Sequence, residues 1–165
     1  MALTYEKIAS TTLSSTQSTV TFSSISNSYT DLVLVMNPIS NTTSGSYPYL
    51  RFNGDSGTNY SRTMMQGTGS AAQSDKSSNS SEGYFIYGNQ VTTDAAFNAI
   101  VNIQNYSNTT TNKTFLSRTN VASDRTEALV GLWRSTSAIT SITIYCGSNS
   151  FVSGSTFTLY GILKA

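Results

Sequence analysis

The sequence predicts an all-β protein in which two antiparallel sheets pack face to face as a β-sandwich, and within that class we expect a jelly roll. Alternation of apolar and polar residues recurs in about ten short segments, as expected for half-buried strands. Residue types that favour strands are abundant, including ten Tyr and seven Phe. No window shows the 3.6-residue apolar stripe of an amphipathic helix. Short strands joined by polar turns are typical of sandwiches and barrels.

The composition indicates one folded domain spanning residues 1–165. Charged residues make up only 10% of the chain, less than half of the ~25% of a typical soluble domain. Ser and Thr together occupy about one position in three. Disorder requires few aromatic residues and a high net charge, whereas this chain is 11% aromatic with a net charge of +1. A net charge this small gives no electrostatic reason to expect a nucleic acid or a membrane as partner.

The first part of the chain contains three predicted strands. Residues 3–13 form the first, and the second places Val20 and Phe22 on one face. Residues 31–37, DLVLVMN, are apolar almost without interruption, which predicts a strand covered on both faces. Pro38 ends this strand because proline has no N–H to donate to a neighbouring strand.

The middle of the chain predicts two more strands at 47–53 and 59–65, joined by the turn GDSG. Residues 66–83 contain almost no apolar side chains, and we interpret them as a long loop. A short strand is expected at 83–89.

The second half begins with a clear alternation at 96–107. One face carries Phe97, Ala99, Val101 and Ile103. Further strands are predicted at 113–121, 128–135, 137–147 and 155–163.

The last predicted strand has two faces of different character. Phe157, Leu159 and Leu163 share one face, which requires a sheet beneath it. The other face carries Tyr160 and Ile162 and is not purely polar. We therefore expect this second face to meet a neighbouring subunit.

The residue types present exclude most familiar catalytic and metal sites. The chain has no His and one Cys, Cys146, which removes Ser-His-Asp catalysis, thiolate clusters and His-based zinc sites. The carboxylates lie mostly at predicted strand ends and turns, where Asp bonds locally to the backbone. Residues 52–59, FNGDSGTN, lack the downstream Glu of a Ca²⁺ loop and are read as a hairpin turn. We expect no enzyme, no catalytic residue, no cofactor and no bound metal.

An aromatic group in the sequence has two interpretations. Its members are Tyr47, Tyr49, Tyr60, Tyr84, Tyr87 and Trp133. They could form a surface on which sugar rings stack. They could equally be core residues, or residues of an interface between subunits, where Tyr and Trp are enriched.

The first residues, MALTYEKIASTT, do not have the basic and then apolar pattern of a signal sequence. No apolar run approaches the ~20 residues that a membrane-spanning helix needs. We therefore expect the chain to fold in a cytoplasm without export.

Several segments resemble a group of small virion structural proteins of tailed phages, especially cyanophages. They are TYEKIASTTL, STVTFSSI, YTDLVLVMN, YLRFNGDSGTNYS, NIQNYSNTTTNKTFLSR, GLWRSTSAITSITI and SGSTFTLYGI. The resemblance covers nearly the whole chain except residues 66–83. Proteins of this group are described as structural, capsid-decorating or fibre-associated.

The resemblance implies a virion component, and our first hypothesis is a capsid decoration (cement) protein. Such a protein folds in the bacterial cytoplasm and then binds the capsid exterior as a homotrimer, with the major capsid protein as partner. The candidate capsid or subunit contacts are Leu3, Tyr5, Ile8, Tyr160 and Ile162. The alternative is a receptor-binding module of a tail or head fibre, which would hold host glycans on the aromatic group.

Overall fold

The structure is a computed structural model that describes residues 4–88, 91–94, 97–121 and 124–163. Within these residues it contains twelve strands and no helix, which confirms the all-β prediction. The strands are β1 (Tyr5–Thr12), β2 (Thr19–Phe22), β3 (Tyr29–Asn37), β4 (Tyr49–Phe52), β5 (Tyr60–Gly67), β6 (Ala72–Ser80), β7 (Gly83–Tyr84), β8 (Phe97–Ile103), β9 (Lys113–Val121), β10 (Arg125–Trp133), β11 (Ile142–Tyr145) and β12 (Thr156–Leu163). With no helix in the described segments, none of them offers a helix long and apolar enough to cross a membrane.

Two antiparallel sheets pack together, which confirms the β-sandwich. The large sheet has eight strands in the order β1-β12-β3-β8-β9-β10-β5-β6. The small sheet has four strands in the order β2-β11-β4-β7. The narrower jelly-roll assignment stays a prediction.

Aromatic side chains join the two sheets. Phe52 of β4 lies 5.7 Å from Phe115 of β9 and 5.5 Å from Trp133 of β10, measured between ring centres. Such edge-to-face and tilted ring pairs add to the stabilisation that burial of apolar surface gives. Further along the large sheet, Phe151 packs on Phe157 of β12 with ring centres 5.1 Å apart. The core is therefore continuous from the β4 side to the β12 side.

The last strand, β12, lies between β1 and β3. Phe157 and Leu159 are fully buried on its inner face, as predicted, whereas Leu163, after a register shift, is half-buried against the core. Tyr160 and Ile162 on the opposite face are half-buried, with no second layer over them among the described residues. The strand is thus paired within its own chain along both edges.

The prediction of a long loop at 66–83 is wrong. Residues 72–80 form β6, which pairs with β5 at the edge of the large sheet. An edge strand of this kind is held by backbone hydrogen bonds to one neighbour and needs no apolar face of its own. The sequence AQSDKSSNS therefore gives no alternation that would reveal it.

The strand predicted at 83–89 is shorter than expected. Only Gly83 and Tyr84 pair with β4, as strand β7. Phe85 and Ile86 are nevertheless fully buried. Phe85 and Ile86, whose apolar side chains suggested a strand, are thus core residues that lie outside the two sheets.

Candidate docking surface

The outer face of the large sheet is the side turned away from the small sheet. The strand register places its residues in rows that cross neighbouring strands. One row contains Leu116, Val130, Thr63 and Lys76. The next row contains Arg118, Ala128, Met65 and Ser74.

The exposed apolar residues of the protein are concentrated on this face. Four large hydrophobic side chains of the described residues are exposed: Met65 at 66%, Tyr5 at 54%, Val130 at 51% and Leu116 at 38%. The register places all four on the outer face of the large sheet. Single exposed apolar residues are ordinary, whereas a contiguous patch marks an interaction site, and Leu116, Val130 and Met65 lie on three adjacent strands.

Three of these residues surround a shallow trough over β9, β10 and β5. We define the trough by Thr63, Met65, Leu116, Arg118, Ala128 and Val130. Its central depression has a volume of about 370 Å³. Two further depressions adjoin it. One, of about 480 Å³, shares Thr63 and Val130 with the trough. The other, of about 330 Å³, shares Met65 and Arg118 with it. The trough is thus a concave surface with an apolar floor.

The charges on the outer face are nearly all positive. Lys7, Lys76 and Arg118 lie on it, and none of them forms an ion pair with another described residue. Among the described strand residues, the register puts one carboxylate there, Asp31. Asp31 is half-buried and accepts a hydrogen bond from the backbone N–H of Asn105 at 2.6 Å. The trough therefore combines an apolar floor with one unpaired cation, Arg118, and a second, Lys76, lines the depression that adjoins it.

Most of the contacts predicted from sequence lie at the other end of this face. Tyr5 pairs with Ile162, and Lys7 pairs with Tyr160. Ile8 lies at the irregularity of β1 between Lys7 and Ala9 and packs against the core. Leu3 is outside the described residues. The structure thus brings Tyr5, Tyr160 and Ile162 onto the same face as the trough.

The predicted aromatic group divides into two sets. Tyr60 and Trp133 are almost fully buried and belong to the core. Tyr47, Tyr49, Tyr84 and Tyr87 are half-buried.

Tyr145 of β11 joins this second set. Its ring centre lies 5.5 Å from that of Tyr49, which also contacts Tyr84 at 5.0 Å. Burial, followed by the neighbouring Tyr84 and Glu82, raises the pKa of Tyr49 to about 12. Burial and then Glu82 also raise the pKa of Tyr145. The Tyr145 hydroxyl donates its hydrogen to Glu82 Oε2 at 3.2 Å.

Two arginines flank the tyrosines. The guanidinium of Arg51 lies 4.9 Å from the ring centre of Tyr145 and pairs with Glu82 at 3.4 Å. That of Arg62 lies 4.6 Å from the ring centre of Tyr84 and 5.1 Å from that of Tyr87. Cation–π contacts of this kind stabilise both partners when they are shielded from water. The cluster is thus largely occupied by its own internal contacts.

A small polar depression of about 230 Å³ adjoins the tyrosine cluster. Tyr47, Tyr49 and Asn149 line it, together with the short segments 45–46 and 146–148. Aromatic faces beside hydroxyl and amide groups form the kind of surface on which sugars bind.

Asp55 forms a structural site in the turn between β4 and β5. Its carboxylate accepts hydrogen bonds from Trp133 Nε1 at 2.6 Å, Asn59 Nδ2 at 2.9 Å and the Gly57 backbone N–H at 2.8 Å. Burial raises the pKa of this carboxyl, but the three hydrogen bonds outweigh burial and hold it below its usual value. No group of three potential metal ligands occurs among the described residues. These contacts support the interpretation of residues 52–59 as a hairpin turn.

The interpretation of the sequence missed the trough. In ALVGLW, residues 128–133, Ala128, Val130 and Leu132 are apolar, and so are Leu129 and Trp133, which face the core. Apolar residues on both faces of a strand were the available signal.

Comparisons with protein-family models and with curated proteins find no match to the chain.

Proposed function

We propose that this protein is a phage virion structural protein that decorates the capsid exterior by binding the assembled major-capsid lattice. The observation that carries the proposal is that the four large hydrophobic side chains exposed among the described residues all lie on one face of the large sheet, three of them around the trough. The surface of this chain interacts with water mainly through hydroxyl and amide groups, and exposing an apolar face to water does not stabilise the fold. Docking on a protein surface explains it.

The proposed mechanism is burial of apolar surface at joints between capsid proteins. Each Å² of apolar surface removed from water contributes about 25 cal/mol. A protein that binds only the assembled lattice stabilises that lattice by mass action. A homotrimer placed on a capsid symmetry axis would gain further affinity because its three contacts form together. No catalytic step is involved.

The test is binding to purified capsids that lack this protein. We expect the recombinant chain to cosediment with the capsids until its sites are saturated and to raise the capsid melting temperature. Purified virions should carry hundreds of copies per particle. Failure to cosediment, or about a dozen copies per virion, would contradict decoration.

A second candidate function is a receptor-binding module that holds host glycans. The polar depression beside Tyr47 and Tyr49 favours it. In that case the isolated chain should bind defined glycans, and Tyr47→Ala should abolish binding without lowering the melting temperature. Binding that survives this change would place the glycan elsewhere.

A further inference from the structure

We infer that the trough is a receptor for an acidic, apolar protein segment: an apolar side chain on the partner enters the trough, and carboxylates on the partner pair with Arg118 and Lys76. The apolar floor of the trough favours an apolar side chain, and the positive charges of Arg118 and Lys76 favour carboxylates. The inference rests on the proposed function in one respect: the segment that enters the trough is taken to belong to the major capsid protein.

The floor of the trough calls for an apolar occupant. Leu116 and Val130 are cross-strand neighbours, and Met65 stands opposite Ala128 one row away. Met side chains are flexible and adapt to the shape of a partner. Covering these side chains would remove apolar surface from water at the centre of a concave site, where binding energy is usually concentrated.

The two cations in and beside the trough favour a partner with negative charge. Arg118 lines the central depression and Lys76 lines the neighbouring one, and neither has an ionic partner among the described residues. The two residues lie on β9 and β6, three strand spacings apart, which is about 14 Å across the sheet. Carboxylates on both sides of an apolar ridge would match this arrangement.

A protein segment fits this chemistry better than a nucleic acid. Nucleic-acid binding relies on many cations that contact successive phosphates, whereas the trough offers Arg118 on an apolar floor and only Lys76 in the depression beside it. The net charge of +1 gives no general attraction for a polyanion. The charge complementarity is therefore local, and it selects a partner with a few carboxylates beside apolar side chains.

The chemistry of the trough can be tested without the capsid. The probe is 8-anilinonaphthalene-1-sulfonate, an apolar ring system with one anionic group, titrated into the ¹⁵N-labelled full chain and followed by NMR. We expect shifts confined to the amides around Met65, Leu116, Arg118 and Val130. Arg118→Ser should weaken binding at least fivefold, while Lys7→Ser, the same charge change at the far end of the face, should leave it unchanged. No binding, binding elsewhere, or equal effects of the two variants would overturn the inference.

The identity of the partner is tested with the capsids described above. We expect a double variant, Met65→Ser with Val130→Ser, to bind at least tenfold more weakly, and a second double variant, Arg118→Ser with Lys76→Ser, to lose most of the salt dependence of binding. Thr21→Ser on the small sheet is the control, and melting temperatures show whether each variant is folded. If wild type binds and the trough variants bind equally well, the inference fails and the proposed function stands. If wild type does not bind, the proposed function fails, and the dye titration alone decides whether the trough takes apolar anions.

Discussion

At the scale of single residues, Gly131 leaves the space for a ring that packs between the two sheets. A Cβ added to Gly131 of β10 would lie 2.0 Å from a ring carbon of Phe115. Phe115 is fully buried and packs on Phe52 of the small sheet. The absence of a side chain at 131 therefore leaves the space that this ring occupies between the sheets.

The first prediction concerns this position. Gly131→Ala should lower the free energy of unfolding by about 2–3 kcal/mol, because overpacking forces a buried ring to move. Gly67→Ala is the matched control in a strand, since an added Cβ there meets nothing within 4 Å. Urea unfolding measures both. An equal effect of the two substitutions would contradict the packing described for Phe115.

The second prediction concerns Asp55. Asp55→Asn should lower the free energy of unfolding at neutral pH by about 1–3 kcal/mol, because an amide has one acceptor oxygen and some of the three donors, buried Trp133 Nε1 among them, would lose their partner.

The pH dependence of this effect has a defined sign. The folded-state pKa of Asp55 lies below the ordinary value of 3.8, so the stability that its ionisation contributes is present above that pH and is lost as the pH falls through the folded pKa. The difference between wild type and Asp55→Asn should therefore shrink in acid. Unfolding curves at a series of pH values would show it, and a difference that stays constant down to pH 2 would contradict this role.

At the scale of the elements, the apolar strands could be predicted from sequence and the polar one could not. The run DLVLVMN predicted β3 because both of its faces are apolar, and Leu32, Leu34 and Met36 are fully buried. Strand β6 has no apolar face, so only its pairing with β5 reveals it. Each of the candidate contacts on β1 and β12 could be assigned from the sequence of a single strand. The trough could not, because it depends on β10 lying between β9 and β5, which are far apart in the sequence.

An ion pair joins β6 to β5 in addition to the backbone hydrogen bonds between the two strands. Arg62 of β5 pairs with Asp75 of β6 at 2.8 Å. The Arg62 side chain is only 9% exposed, and its Nε and Nη1 atoms are buried without a hydrogen-bond partner among the described residues. Asp75 is therefore the group that compensates this charge.

The third prediction follows from this ion pair. Asp75→Ala should cost about 1–3 kcal/mol of unfolding free energy and speed amide exchange along β6, because a mostly buried guanidinium loses its counter-charge. The control is Asp124→Ala, which removes the more exposed pair with Arg125 and should cost at most about 1 kcal/mol. Equal costs in thermal unfolding would show that Arg62 finds other compensation.

At the scale of the whole molecule, the two outer faces of the sandwich differ. The small sheet carries tyrosines and arginines that contact one another, whereas the outer face of the large sheet carries exposed apolar residues and unpaired cations. This asymmetry gives the molecule one face suited to docking. We propose that the end that carries Tyr5, Tyr160 and Ile162 joins copies of the chain and that the trough is the surface that binds the capsid.

The fourth prediction is that the chain is a homotrimer. Size-exclusion chromatography with light scattering should give three times the chain mass of 17.7 kDa. Tyr160→Ser with Ile162→Ser should shift the mass toward that of one chain while leaving the melting temperature of the domain little changed. A mass of one chain for wild type at all concentrations would contradict the trimer.

The most direct test of the central claim is cryo-EM of capsids lacking this protein after they are mixed with it. We expect regular density at capsid symmetry axes, with the outer face of the large sheet turned toward the shell and the trough against it. Capsids without added density, together with signal only at tail or fibre tips, would contradict it.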